Sequence, residues 1–184
     1  MPFEHPFYFL RHGESEWNEI KKTQGQSDSR LNDKGRMQAK RAGEVMRQEP
    51  IERIVTSPLT RVRDTAAAVA AHHDVPMTFD DELMEAHLGD WQGKPWGDHL
   101  ALYWSGKSEP PGGETFPQFA ARAWKAMERA VTLGPNTLIV AHGGLWRAAQ
   151  VYVGLEPDLP SMPNALPIKV TPGESSWQVE ILGE

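Results

Sequence analysis

The sequence predicts an α/β fold, a three-layer sandwich whose mostly parallel central sheet carries helices on both faces. Short apolar runs alternate with longer segments of helical periodicity, the pattern of strand-helix-strand units. Three of those runs stop abruptly in polar residues, at Arg11-His12-Gly13, Ser57-Pro58 and His142-Gly143-Gly144, and in open parallel sheets ligands sit beyond the carboxyl ends of the strands. The chain of 184 residues, 39% hydrophobic and 24% charged, suits a single domain spanning residues 1–184.

Each element follows from local chemistry. Residues 6–10 are a short apolar run that breaks into Arg11-His12-Gly13-Glu14, as a buried strand does on opening into a loop. Asn32-Asp33 caps a helix reaching about residue 48, with Met37, Ala42, Val45 and Met46 on its inner side. Residues 51–56 read as a second strand. Ser57 as N-cap and Pro58 at the first helical position start a helix that runs through an alanine-rich stretch to about residue 73, where His72-His73 meet the favourable end of the helix dipole. A weaker strand follows at 75–79, a long amphipathic helix at 116–133, the most apolar strand at 136–141 and a helix at 145–153. Late strands are expected at 166–170 and 177–182, and the Pro- and Gly-rich stretches at 110–113 and 157–172 read as loops.

Composition narrows the function. A formal net charge of -6 argues against a general nucleic-acid surface, which needs a clustered positive field. No apolar run approaches the roughly 20 residues that cross a bilayer, and residues 1–10 lack the basic start and apolar core of a secretion signal, so no membrane partner and a cytoplasmic address are expected. With no cysteine, any nucleophile is an oxygen or a nitrogen. No two histidines share a helix at the spacing of a zinc protease, and neither a metal nor a cofactor is expected. The sequence fixes no oligomeric state.

A charged pair directly after a buried strand must find partners or face a cavity, which makes Arg11 and His12 the first candidates. His142 ends a very apolar strand before two glycines; it reads as a strand-end functional group or as a satisfied core histidine. Arg61 and Arg63 share one helix, one of them for the site and one for solvent.

The run from Phe9 to Asn18 resembles the signature of the histidine phosphatase superfamily, the phosphoglycerate mutase-like proteins. The resemblance continues in family order through Gln24-Gly25, Asp28, Leu31, Gly35, Gln38-Ala39, Ser57-Pro58-Leu59-Thr60-Arg61, Thr65-Ala66, Glu85 to Gly93, Gly113-Glu114-Thr115, His142-Gly143 and Arg147. It covers a catalytic core of about residues 7–154, with a cap segment of about 89–115 inserted. It implies that His12 attacks phosphorus and forms a covalent phosphohistidine. A histidine can do so near neutral pH because its pKa of about 6.5 leaves a large neutral fraction. Arg11 and Arg61 are the implied phosphate clamp, His142 a further donor, Asn18 a neutral one, and Gln24, Gly25 and Gly143 complete the substrate-binding set. Gly13 is expected to clear space for the phosphate. Glu85 holds the position of the general acid, ahead of its neighbours Asp81, Glu82 and Asp90, and needs a raised pKa for that role.

The resemblance covers hydrolysis and mutase-type transfer alike. Residues 94–112 offer only Lys94 and Lys107 as cations and lack the paired arginines of the mutases, so hydrolysis of a phosphorylated small molecule is expected, as in the small bacterial phosphatases of the family. Mutase transfer and a module that only binds phosphorylated ligands or phosphoproteins remain the alternatives. Trp96, Tyr103 and Trp104 in that segment either stack on a substrate ring or pack a short cap helix onto the domain, and His87 is a further candidate for the pocket wall.

Overall fold

The computed structural model describes residues 3–155, 162–174 and 176–183. Among these, one sheet holds β1 (Phe7–Arg11), β2 (Arg53–Thr56), β3 (Met77–Phe79), β4 (Thr137–Ala141), β5 (Pro167–Pro172) and β6 (Trp177–Ile181) in the spatial order β3-β2-β4-β1-β5-β6. The first four are mutually parallel, and β5 runs against both β1 and β6. The sheet is thus mostly parallel, as expected, with a reversed strand at the hairpin that closes the chain. Of the loop expected at 157–172, residues 157–161 lie outside the described residues and 167–172 form β5.

The helices are α1 (Glu16–Glu19), α2 (Asp33–Met46), α3 (Thr60–Ala70), α4 (Asp98–Trp104), α5 (Phe116–Val131) and α6 (Gly143–Tyr152). Alternation along β1 divides the core: Phe7 and Phe9 join α5 and α6 on one face, while Tyr8 and Leu10 join α2 and α3 on the other. These four side chains of β1 are fully buried, as a strand covered on both faces requires. None of the described helices is long and apolar enough to cross a membrane.

Two local expectations need correction. Met37 is 67% exposed rather than inward. Helix α2 packs instead through Gly35, Ala39, Ala42, Gly43 and Met46, and a Cβ on Gly43 would stand 2.5 Å from the Ala68 carbonyl of α3. Close approach of the two helices selects small residues for the inner stripe and turns Met37 to solvent. Ser57 is not a helix cap either: α3 begins at Thr60 and takes its cap from Asp28, whose carboxylate accepts from the Thr60 N–H at 2.8 Å and from its hydroxyl at 2.6 Å. Helix α3 also stops at Ala70, short of His72-His73, and His72 Nε2 lies 3.8 Å from Glu44 Oε1.

Candidate active site

The parallel register puts the expected strand-end residues on one edge. Arg11 pairs with Ala141 and Thr56 with Val140, so β1, β4 and β2 release Arg11-His12, His142 and Ser57 at the same level. The His12 N–H donates to Ala141 O at 3.0 Å, and the Ser57 N–H donates to Val140 O at 3.2 Å. The two imidazoles face each other with centroids 5.3 Å apart, and both are buried.

Each ring has its protons set by its partners. His12 Nδ1 lies 2.7 Å from the Gly13 carbonyl, which can only accept, so Nδ1 carries the hydrogen and Nε2 keeps its lone pair. His142 Nδ1 lies 3.3 Å from Arg61 Nη2, which can only donate, so the His142 proton sits on Nε2, 3.0 Å from Ser57 Oγ. This contact is the work Ser57 does in place of capping. Burial, then the positive charges of Arg61 and Arg11, hold His12 well below the ordinary histidine range. Burial and Arg61, followed by His12, Arg11 and Arg122, do the same to His142. Both rings are therefore neutral near pH 7.

Arg61, in the first turn of α3, is only 1% exposed, whereas Arg63 faces solvent. Arg61 donates to Ser27 O and Gly25 O, each at 2.9 Å, which fastens the loop before α2 to the site. Burial lowers its pKa to about 10, against the attraction of Glu85 and Asp28. Arg11 donates to the Met162 carbonyl. Asn18 closes a capping box with Ser15, accepting the Ser15 N–H at 3.2 Å, so its amide nitrogen is the end left for the cavity. The Ser15 hydroxyl donates to Gln24 Oε1 at 2.8 Å, which likewise leaves the Gln24 nitrogen. Gly25 has φ +54, and a Cβ there would meet Gln92 Oε1 at 2.5 Å and Ala86 O at 2.9 Å. Gly13 serves a different purpose from the one expected: a Cβ would lie 2.5 Å from Gly35 O, so its bareness admits the start of α2 rather than a phosphate.

Glu85 lines the same cavity. Its Oε2 accepts the Gly144 N–H and its Oε1 the Ala86 N–H, both at 3.1 Å. Burial raises its pKa above the usual carboxylate range, against those two donors and against Arg61 and Arg11. Its backbone is held by Arg122 of α5, which donates to Glu82 O, Met84 O and Glu85 O and forms a two-pronged ion pair with Glu114 at 2.7 Å. Glu114 also accepts the His87 N–H at 2.8 Å, and His87 lies off the cavity wall. Asp81, Glu82 and Asp90, the rival carboxylates, are likewise absent from that wall.

The cavity measures about 350 Å³. It brings together Arg11, His12, Asn18, Gln24, Gly25, Arg61, Glu85 and Gly143; His142 lies behind them, completely buried. The cap segment supplies the opposite wall, from Trp96, Leu100, Ala101 and Trp104, with Arg147 beside them. Of the cap aromatics, Tyr103 is buried in the α4 packing, while Trp96 is 46% exposed and lines the cavity. Among the described residues, no group of three or more His, Cys, Asp or Glu side chains is placed to hold a metal ion.

Sequence reasoning missed Ser57 as the partner of His142, Gly144 as the donor to Glu85, and Arg122. Gly113-Glu114-Thr115 stood out without a role, and its role is the anchor for Arg122. Nothing distinguished Arg122 itself from the other arginines on helix faces, because its importance rests on a pairing across two segments.

Comparison with known proteins points to one family. The family model for the histidine phosphatase superfamily, branch 1, matches residues 7–183. A glucosyl-3-phosphoglycerate phosphatase of Mycolicibacterium vanbaalenii is 34% identical over 95% of this chain and 82% of that protein. The phosphatase PhoE of Bacillus subtilis is 31% identical over 93% of this chain and 90% of its own. The structure of Bacillus stearothermophilus YhfR superposes with a TM-score of 0.86, covering 96% of each chain at 29% identity.

Proposed function

Because the chain belongs to the histidine phosphatase superfamily, branch 1, we propose that this phosphatase hydrolyses small-molecule phosphate monoesters without a metal ion, through a phosphohistidine on His12. The observation that carries the reading is the state of His12: a buried neutral ring whose Nδ1–H is tied to Gly13 O, with Nε2 unprotonated and two guanidiniums beside it. That is an imidazole prepared to attack and an electrostatic site prepared for a dianion.

In the first half-reaction, Nε2 forms a bond to phosphorus as the ester P–O bond breaks. Arg11 and Arg61 hold the non-bridging oxygens, with Asn18 and Gln24 adding neutral donors and Gly25 and Gly143 giving room for close approach. The Glu85 carboxyl, protonated because burial favours its neutral form, passes its proton to the departing alkoxide. In the second, water attacks the phosphohistidine, Glu85 takes the water proton, and the N–P electrons return to Nε2. A bound dianion reverses the charge balance at His142 and favours its doubly protonated form, which donates from Nδ1 while Ser57 holds Nε2. The catalytic unit in this reading is residues 7–154, with residues 89–115 as the cap over the leaving group. The apolar character of that cap, Trp96, Leu100, Ala101 and Trp104, supports hydrolysis over a mutase cycle, which must retain a highly charged bisphosphate.

The test is turnover of a panel of phosphate esters in excess chelator, with rapid acid-free quenching to trap labelled enzyme. Wild type is expected to turn over and to carry label on His12, and His12→Ala to lose both. Chelator-sensitive turnover, or label that persists in His12→Ala, would reject the mechanism.

A further inference from the structure

We propose that Arg147 selects substrates whose leaving alcohol carries an anionic group, a carboxylate or a second phosphate; this rests on the phosphatase reading above. Arg147 lies in α6, one turn beyond Gly143-Gly144, and lines the same cavity as Arg11, His12 and Arg61. Its surroundings set it apart from Arg61. The Arg61 terminal nitrogens are engaged by two carbonyls and an imidazole. Arg147 shares with Arg61 a buried Nε without a hydrogen-bond partner, but among the described residues its terminal nitrogens make no hydrogen bond and no carboxylate forms an ion pair with it. Its neighbour is an indole, with the guanidinium carbon 5.9 Å from the Trp104 ring centroid.

The position of Arg147 relative to Glu85 says which part of the substrate it meets. A Cβ on Gly144 would stand 2.1 Å from Glu85 Oε1 and 2.7 Å from Trp104 Cη2, so the acid, the indole and the first turn of α6 form one continuous wall. In an in-line displacement the leaving oxygen departs on the side away from Nε2 and toward the acid that protonates it. The alcohol beyond that oxygen therefore runs past Glu85 along Trp104 to Arg147. A guanidinium on an apolar wall, with a desolvated N–H unmet, is answered best by a planar or tetrahedral anion that accepts its donors as a fork. A neutral alcohol would leave that donor buried and unpaired.

The experiment compares three esters that share a primary phosphate: 3-phosphoglycerate, which adds a carboxylate, propane-1,3-diol bisphosphate, which adds a phosphate, and glycerol 3-phosphate, which adds neither. Wild type is expected to prefer one of the two anionic esters over glycerol 3-phosphate by about tenfold or more in KM, and the one preferred identifies the anion. Arg147→Leu is expected to raise KM for that ester about 10–100-fold more than for glycerol 3-phosphate, with kcat for both falling in step. If Arg147→Leu does not fold, Arg147→Lys carries the test with the same direction and a smaller loss. Wild type without preference for either anionic ester, or a variant that loses all three equally, would overturn the assignment. Failure of the phosphatase reading looks different: no chelator-resistant turnover of p-nitrophenyl phosphate by wild type.

Discussion

At the sheet edge, Arg61 is 1% exposed with its terminal nitrogens engaged, both imidazoles have their protons fixed by neighbours, and three strands in register hold the backbone. Elsewhere on the same cavity, Trp96 is 46% exposed, the terminal nitrogens of Arg147 make no hydrogen bond among the described residues, and Glu85 owes its place to an ion pair between a loop and α5. In the proposed mechanism, one end of the cavity is thus preorganised for a group common to every substrate, and the other is left to be completed by the part that varies. Preorganised donors aimed at the transferring group contribute to every turnover. Unfilled contacts at the leaving group discriminate between substrates.

Arg61→Ala tests that division most severely. It removes half of the proposed clamp and leaves Gly25 O and Ser27 O without their donor, and we expect kcat/KM to fall about 10³-fold or more on p-nitrophenyl phosphate and on an alkyl phosphate alike. A loss confined to one leaving group would break the division. Glu85→Gln should behave in the opposite way: a loss of about 10²–10³-fold on the alkyl ester and less than about tenfold on p-nitrophenyl phosphate, whose leaving group needs little protonation.

The pH profile sharpens the same contrast. Burial raises the Glu85 pKa, so the protonated form that the proposed acid role needs persists above the usual carboxylate range, and alkyl-ester turnover is expected to decline as pH rises through the raised value. Burial and two arginines lower the His12 pKa, so the proposed nucleophile stays neutral below the usual histidine range and the acidic limb is expected to move downward. Glu85→Gln is expected to abolish the alkaline limb of the alkyl-ester profile and leave the acidic one. An alkaline limb unchanged in that variant assigns it to another group. Stability follows the same sign: burial of Glu85 costs nothing below its unfolded pKa, where both states are protonated, and opposes folding increasingly as pH rises toward the folded value.

On the leaving-group side, Arg122→Leu removes the donor for three carbonyls and strands the Glu114 carboxylate, whose side chain is 23% exposed. The expected cost is about 2–3 kcal/mol in urea unfolding, with alkyl-ester turnover falling more than that of p-nitrophenyl phosphate because Glu85 loses its footing. A stability loss with no change in that ratio would separate Arg122 from the positioning of Glu85.

The two ends also differ in how far sequence alone reveals them. Arg11-His12 and His142-Gly143-Gly144 each follow an apolar strand directly, so chain neighbours announce the site and the parallel sheet does the assembling. Glu85 depends on Arg122 and Glu114, partners 37 and 29 residues onward by number, and no periodicity links such positions. Met37 failed as a core residue for a related reason: the inner face of α2 is set by how closely α3 approaches, and that distance is a property of the pair.

The smallest effect expected belongs to Ser57, which local sequence assigns to a helix cap and the fold assigns to His142. Its hydroxyl is buried 3.0 Å from His142 Nε2, and because Arg61 can only donate to Nδ1, the hydroxyl oxygen is the acceptor that fixes the tautomer. Ser57→Ala leaves a buried N–H unpaired, at a cost of about 1–3 kcal/mol, and frees the ring to exchange tautomers. Since Ser57 stands at the phosphate end, kcat should drop roughly 3–10-fold on all esters with KM unchanged, the signature of support felt mainly in the transition state. Nitrogen NMR of the His142 ring gives the independent reading: one Nε2–H tautomer in wild type and a mixture in the variant. A variant that keeps the wild-type tautomer and still loses activity would assign the effect to packing around Ser57 and detach this residue from the phosphate end.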